Sequence, residues 1–252
     1  MTPQDDVSLL AERLRAASRV TVITGAGVSA ASGIPTFRGA GGLWKSFRPE
    51  QLATAEAFAR NPRLVWEWYA WRRGLVARAK PNRAHEVLAA WSARFERFTL
   101  VTQNVDGLHE RAGTRGVVRF HGSLWELACW DRCGGAPDGW TDESDLGEVP
   151  PRCPHCGGLA RPGVVWFGEA IPAAALAAAS AALDCDVCLA IGTSAVVHPA
   201  AGLVAGAGGR GAFTAEMKPE ATPATSSVDL AIPGRAEKVL DRLEVLLCPA
   251  GS

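Results

Sequence analysis

The junction at which Val20-Thr21-Val22-Ile23-Thr24 runs directly into Gly25-Ala26-Gly27 constrains this chain most. The short β-branched apolar run predicts a strand, and the residues after it predict a glycine-rich turn. Gly25 and Gly27 can take backbone angles closed to other residues and let a ligand approach the main chain. A phosphate placed there would meet unpaired amides and the positive end of the following helix. The third glycine of the segment is Gly33, too far along for the ordinary dinucleotide fingerprint. Two readings stay open from this segment alone: a dinucleotide site of modified geometry, or a structural turn with no ligand.

The rest of the chain repeats the strand theme. Thr99–Thr102, Val187–Ile191 and Ala212–Ala215 read as short apolar strands, with a further short run at Val228–Ile232. Helical stretches lie between them, notably Asn82–Phe95 and the alanine-rich Ala173–Leu183. This alternation predicts an α/β fold with a parallel sheet covered by helices on both faces. Val239, Leu240, Leu243 and Leu247 fall on one face of a C-terminal helix that closes the core.

Two segments break the pattern. Residues 44–80 read as a helical insertion rich in aromatics, among them Trp66, Trp68, Tyr69 and Trp71. The stretch from Cys129 to Cys156 is dominated by turn formers and carries too little apolar surface to make its own core. It reads as a small inserted module held by something other than burial. Cys129 with Cys133 and Cys153 with Cys156 form two close pairs, able to offer four thiolates to a tetrahedral zinc ion. Two disulfides or a metal-free module are the alternatives. With four protein ligands the metal would have no open position and would be structural. His155, between the second pair, reads as a surface residue. Cys185 and Cys188 also have CxxC spacing, but they adjoin an apolar strand and read as buried thiols.

Bulk properties narrow the class. The 252 residues suffice for one large domain, or a large and a small one. With 26 basic and 26 acidic residues, the balanced charge gives no electrostatic footprint for a nucleic-acid partner. The first residues are acidic and then helical in period, unlike a secretory leader, and no apolar run reaches membrane-spanning length. The seven cysteines are an odd number, fitting reduced thiols or metal ligands better than a disulfide framework. The expectation is a soluble cytoplasmic protein with no membrane partner.

Polar residues after the strands supply candidate chemistry. Gln103, Asn104 and Asp106 follow one strand, where loops of an open parallel sheet line the ligand crevice. Their amide and carboxylate groups suit ribose hydroxyls and a carboxamide; a packed loop capping a helix is an equal reading. His121, in Phe120-His121-Gly122-Ser123, is the strongest candidate general base, and equally a hydrogen-bonded structural histidine. Gly192, Thr193 and Ser194 repeat the strand-to-glycine-turn arrangement. Val164–Glu169 reads either as backbone able to pair with an extended peptide or as an internal edge strand with a core tryptophan.

Taken together, GAGVSAASGIPTFRG, TQNVDGLH, FHGS, the paired cysteines, VVWFGE and GTS resemble the sirtuins, a family of NAD-dependent protein lysine deacylases. The likeness spans Gly25 to Ser194, and AEMKPEATPAT extends it. The resemblance implies a Rossmann-like NAD domain built from residues 1–43, 81–125 and 161–252. It also implies a smaller domain made of the 44–80 helical insertion and a zinc-ribbon module at 126–160. By correspondence, Gly25, Ala26, Gly27, Phe37 and Arg38 would surround NAD and its reactive ribose. Gln103, Asn104 and Asp106 would organise the nicotinamide end, and Gly192, Thr193 and Ser194 the remainder of the cofactor. Asn104, Asp106 and His121 form the catalytic set, with His121 the base; Val165, Trp166 and Phe167 would pair with the substrate backbone. NAD is then a co-substrate, zinc a structural ion, and acylated-lysine proteins the partners. The sequence leaves the oligomeric state open, a monomer included.

Two departures stand out: the first cysteine pair is CxxxC, and Lys218 stands where many members carry asparagine in an E-x-N-x-E-like segment. Tyr69 and Arg72, three apart on one helical face, resemble the Tyr-x-x-Arg pair of the class III sirtuins, which prefer succinyl-, malonyl- and glutaryl-lysine. Ala40 matches the small residue that leaves room in that acyl pocket. A deacetylase, a protein ADP-ribosyltransferase and a noncatalytic NAD or acyl-peptide binder are the competing functions.

Overall fold

The computed structural model describes residues 3–37, 42–43 and 48–248. Its strands are, in chain order, β1 (Arg19–Thr24), β2 (Arg97–Thr102) and β3 (Val117–Arg119), then β4 (Gly122–Cys129), β5 (Trp140–Thr141) and β6 (Ala160–Val164), and finally β7 (Val187–Ile191), β8 (Phe213–Lys218) and β9 (Leu230–Pro233). The larger sheet has the order β3-β2-β1-β7-β8-β9 and every pairing in it is parallel. The chain therefore builds outward from β1 in one direction and from β7 in the other. This switch leaves a crevice beyond the carboxyl ends of β1 and β7, where open α/β sheets bind ligands.

Helix α1 (Pro3–Arg15) precedes β1, and α2 (Pro49–Leu52), α3 (Ala55–Arg60), α4 (Pro62–Arg78) and α5 (Arg83–Arg94) lie between β1 and β2. The short α6 (Leu108–Arg111) follows β2; α7 (Ala173–Ala182), α8 (Leu203–Gly208) and α9 (Ala236–Leu247) complete the set. Strand alternation distributes side chains between two cores. Val20, Val22, Leu100, Val187, Leu189 and Ile191 pack with α1, α5 and α9 on one face. Ile23, Val101, Cys188 and Ala190 pack with α7 and α8 on the other. The predicted two-faced parallel sheet is present, and Val239, Leu240 and Leu243 of α9 are buried in it as the helical periodicity requires.

The smaller sheet, β5-β4-β6, is antiparallel and packs with α2–α4 around Phe58, Trp66 and Trp166. Strand β4 has no clean sequence alternation because its pairing with β6 shifts register between Gly122 and Leu127. Strand β8 runs past the expected Ala215 end to Lys218, carrying Glu216 into the interior. The Thr222 and Thr225 hydroxyls donate to the Glu216 carboxylate, so the charged residue is accommodated within the strand. Strand β6 stops at Val164, and Val165–Phe167 continues as irregular backbone. Val165 N–H donates to His121 O (2.9 Å) and Phe167 N–H to Ala53 O (2.9 Å), tying both sheets to the helical insertion.

At the crevice, two glycine turns touch backbone to backbone. A Cβ on Gly27 would lie 2.8 Å from Gly192 Cα, and a Cβ on Gly192, whose φ is +63°, would lie 2.6 Å from Val28 N. Gly192→Ala therefore combines strain with a backbone clash and should destabilise the fold by ~2–5 kcal/mol. Gly202→Ala, at ordinary φ with nothing within 4 Å, serves as the near-neutral control in denaturant melts. Equal stability of the two variants would refute the interlocked-turn account.

Candidate active site

The crevice opens into a cavity of about 830 Å³, ample for a dinucleotide together with part of a second substrate. Gly25, Ala26 and Gly27 line it from the turn after β1, and Gly192, Thr193 and Ser194 from the turn after β7. The Gly25 and Gly27 amides are already engaged, donating to Ile191 O (3.1 Å) and Gly192 O (2.9 Å). This corrects the expectation of unpaired amides at those two residues. Their glycine character is required by close approach to the second turn. The segment after them is a 3₁₀ helix, Ala26–Ser32, closed by Gly33 in the left-handed region.

Gln103, Asn104 and His121 reach the same cavity from the loops after β2 and β3. Asn104 is buried, its Nδ2 donating to Gly25 O (3.1 Å) and Ser29 Oγ (3.2 Å). Ser29 in turn donates to Asp106 Oδ2 at 2.7 Å, while Leu108 N–H donates to Asp106 Oδ1 at 2.9 Å. Burial raises the Asp106 carboxyl above its usual range, against the pull of these two bonds. Asp106 borders a smaller adjoining cavity with Arg72 and Asn104, behind the main one. The His121 Nδ1 lies 3.2 Å from Gln103 O, which fixes the ring. Desolvation lowers its basicity from the ordinary histidine value, partly offset by that hydrogen bond.

From the other side, α4 presents Tyr69 and Arg72 to the cavity, as their spacing predicts. Helix α4 is held in place by Trp66 Nε1 donating to Ala160 O (2.7 Å) and by Arg73 donating to Leu124 O, Asp142 O and Ser144 O. The Arg72 guanidinium carbon lies 4.8–5.6 Å from the ring centroids of Trp68, Phe37 and Tyr69. Arg72 is 9% exposed and makes no ion pair among the described residues. Burial lowers its proton affinity, while Tyr69 and Asp106 work in the opposite direction. Val165, Trp166, Phe167 and Phe37 complete this wall. Arg38 and Ala40 lie outside the described residues.

Sequence reasoning missed a buried histidine pair and, at the far end of the cavity, Arg235 and Glu237. His85 and His109 form a fully buried pair, ring centroids 4.8 Å apart, beneath the Ser29–Asn104 network. Desolvation lowers their pKa values to about 3 and about 4, that of His85 further through its neighbour's charge. Asn82 caps α5 and its own amide donates to His85 Nδ1, a capping box whose polar spacing in the sequence is the one available signal. Lys218, Arg235 and Glu237 line the far end of the cavity, brought there by the end of β8 and the start of α9.

The four module cysteines converge. Their sulfurs all lie within 4.8 Å of one another, with Cys129–Cys156 and Cys133–Cys153 each at 3.6 Å. A tetrahedral zinc with ~2.3 Å bonds places sulfurs about 3.8 Å apart, so the set fits, CxxxC spacing included. His155 is exposed, and Cys185 and Cys188 are buried, as expected.

A sequence profile described as the Sir2 family matches residues 25–199. An "NAD-dependent protein deacylase" of Aquifex aeolicus (strain VF5) is 49% identical over 89% of this chain and 93% of its own length. A crystal structure described as a Sir2 homolog–NAD complex superposes with TM-score 0.86 at 45% identity, covering 93% of this chain and 91% of that one. A Sir2 structure with a deacetylated peptide and 3′-O-acetyl ADP ribose gives TM-score 0.84 at 29% identity, over 94% and 97% of the two chains.

The cysteine geometry generates a metal prediction. Purified protein should carry about one equivalent of zinc per chain, and chelation or Cys153→Ala should lower the melting temperature and redshift the tryptophan emission. Unchanged melting after complete metal removal would refute the structural role.

Proposed function

The chain belongs to the Sir2 family, and we propose that it is an NAD-dependent protein lysine deacylase favouring acyl groups that end in a carboxylate: succinyl, malonyl and glutaryl. The observation that carries the acyl preference is Arg72, a buried guanidinium on the cavity wall with no ion-pair partner among the described residues. A guanidinium binds a carboxylate through paired N–H donors, and desolvation strengthens that bond. Tyr69 beside it adds a directed hydrogen bond.

In this reading NAD enters over the two glycine turns, with its nicotinamide end toward Asn104, Asp106 and Gln103. The acyl-lysine enters between Val165–Phe167 and α4. The acyl oxygen attacks C1′ of the nicotinamide ribose and nicotinamide leaves. A ribose hydroxyl, deprotonated by neutral His121, then attacks the acyl carbon; the C–N bond breaks, the lysine amine leaves with the proton that His121 took up, and water adds at that carbon to give O-acyl-ADP-ribose. The cleft contributes orientation and a dry setting for proton transfer. The Cys129/Cys133/Cys153/Cys156 site, when loaded, holds the small domain and takes no part in the chemistry.

Arg72→Met should reduce kcat/KM for a succinyl-lysine peptide about ten- to a hundredfold, with a far smaller effect on the matched acetyl peptide. Equal losses on both peptides would overturn the carboxylate preference. Nicotinamide release without acyl-lysine, with adenine-nucleotide label on protein, would favour an ADP-ribosyltransferase; no nicotinamide release at all would favour a binding module. Because His121 works as a neutral base with lowered basicity, the acidic limb of the kcat/KM profile should have its midpoint below pH 6.5. His121→Tyr should abolish turnover of both peptides, and near-normal product formation would reject its role.

A further inference from the structure

We propose that Trp166 is a positioning residue for acyl selectivity: its indole N–H fixes which way the Tyr69 hydroxyl points, and the Arg161–Glu169 pair holds the indole in place. The inference rests on the acidic-acyl reading above.

Trp166 and Tyr69 are each 2% exposed, and the indole nitrogen lies 2.9 Å from the phenol oxygen. An indole N–H can only donate, so the Tyr69 oxygen is the acceptor in this bond. The phenol proton must then point away from Trp166. Among the described residues no acceptor receives it, while Tyr69 lines the same cavity as Arg72. The arrangement therefore presents a donor toward the cavity beside a guanidinium. An incoming carboxylate oxygen satisfies both. Had a carbonyl stood in place of the indole, the phenol would donate inward and turn a lone pair toward the cavity, repelling an anion. The polarity of one buried bond thus converts an amphoteric hydroxyl into an anion receptor.

The indole is braced independently of Tyr69. The Arg161 guanidinium carbon sits 3.7 Å from the Trp166 ring centroid and its nitrogens donate to both Glu169 oxygens at 2.5 and 2.9 Å. Glu169 Oε2 also accepts the Trp166 backbone N–H at 2.8 Å, and Arg161 donates to Val164 O at 3.0 Å. One ion pair therefore fixes both the ring face and the main chain of Trp166.

The test compares succinyl and acetyl peptides of identical sequence with the wild-type enzyme, Trp166→Phe, Arg161→Met and Arg72→Met. Trp166→Phe should cut the succinyl-over-acetyl selectivity about three- to tenfold, mainly through KM, and Arg161→Met should cut it in the same direction. A purely structural tryptophan would lower both activities together and leave the ratio unchanged, which overturns the proposal. If Arg72→Met also leaves the ratio unchanged, the acidic-acyl reading itself has failed; if Arg72→Met collapses it while Trp166→Phe does not, only the positioning role has failed. Tyr69 is the single tyrosine of the chain, so ¹³Cζ labelling gives one phenol signal. That signal should move on binding the succinyl peptide and not the acetyl peptide, and Arg161→Met should weaken the response. A signal indifferent to the succinyl peptide in the wild-type enzyme would overturn the proposal even if Trp166→Phe does not fold.

Discussion

Backbone-on-backbone contact between two glycine turns is the constraint on which the rest of this structure hangs. Gly27 and Gly192 leave no room for a Cβ on either side, and their amides and carbonyls join the ends of β1, β7 and β8. That closeness lets the loop after β2 lean in as well, Asn104 reaching Gly25 O and Gln103 reaching Thr193 Oγ1. Three loops from separate strands thereby form one rigid rim. A ligand crevice at a topological switch point needs such a rim, because its polar groups come from segments far apart in sequence.

The opposite wall is built by different physics. Helix α4 carries Tyr69 and Arg72, and it is positioned by side-chain bonds to main-chain carbonyls of the small sheet and its loops. The apolar cluster around Phe58 and Trp166 supplies the burial that this wall requires. The cysteine module supplies little fully buried apolar surface of its own, Cys129, Cys153 and Ala136 being its buried members, and its four sulfurs are placed so that they could hold a metal ion.

How much was legible in the sequence follows from these two modes of construction. Local pattern exposed β1 and β7 as short continuous apolar runs, α5 and α9 by their helical period, and α7 by its alanine-rich composition. It also exposed the four cysteines, and the pairing of Tyr69 with Arg72 on one helical face. What pattern did not expose were contacts set by distant neighbours. The bulged β4 has no readable period, and β8 carries a glutamate whose partners lie in a later loop. Gly25 and Gly27 were recognisable as special, but the reason for them, a second turn against the first, became visible only in three dimensions. His85 and His109 stand far apart in sequence, and nothing local announces that they share one buried layer.

That histidine layer has a consequence for the conditions under which the molecule holds together. Folding keeps both rings neutral, with pKa values of about 3 and about 4, whereas an unfolded chain takes up protons on them near pH 6.5. Nothing is lost at neutral pH. Below about pH 6.5 the unfolded state gains about 1.4 kcal/mol per pH unit from each ring until its folded pKa is reached. The floor beneath Ser29 and Asn104 thus behaves as an acid fuse: the polar rim of the crevice rests on two groups that folding keeps neutral.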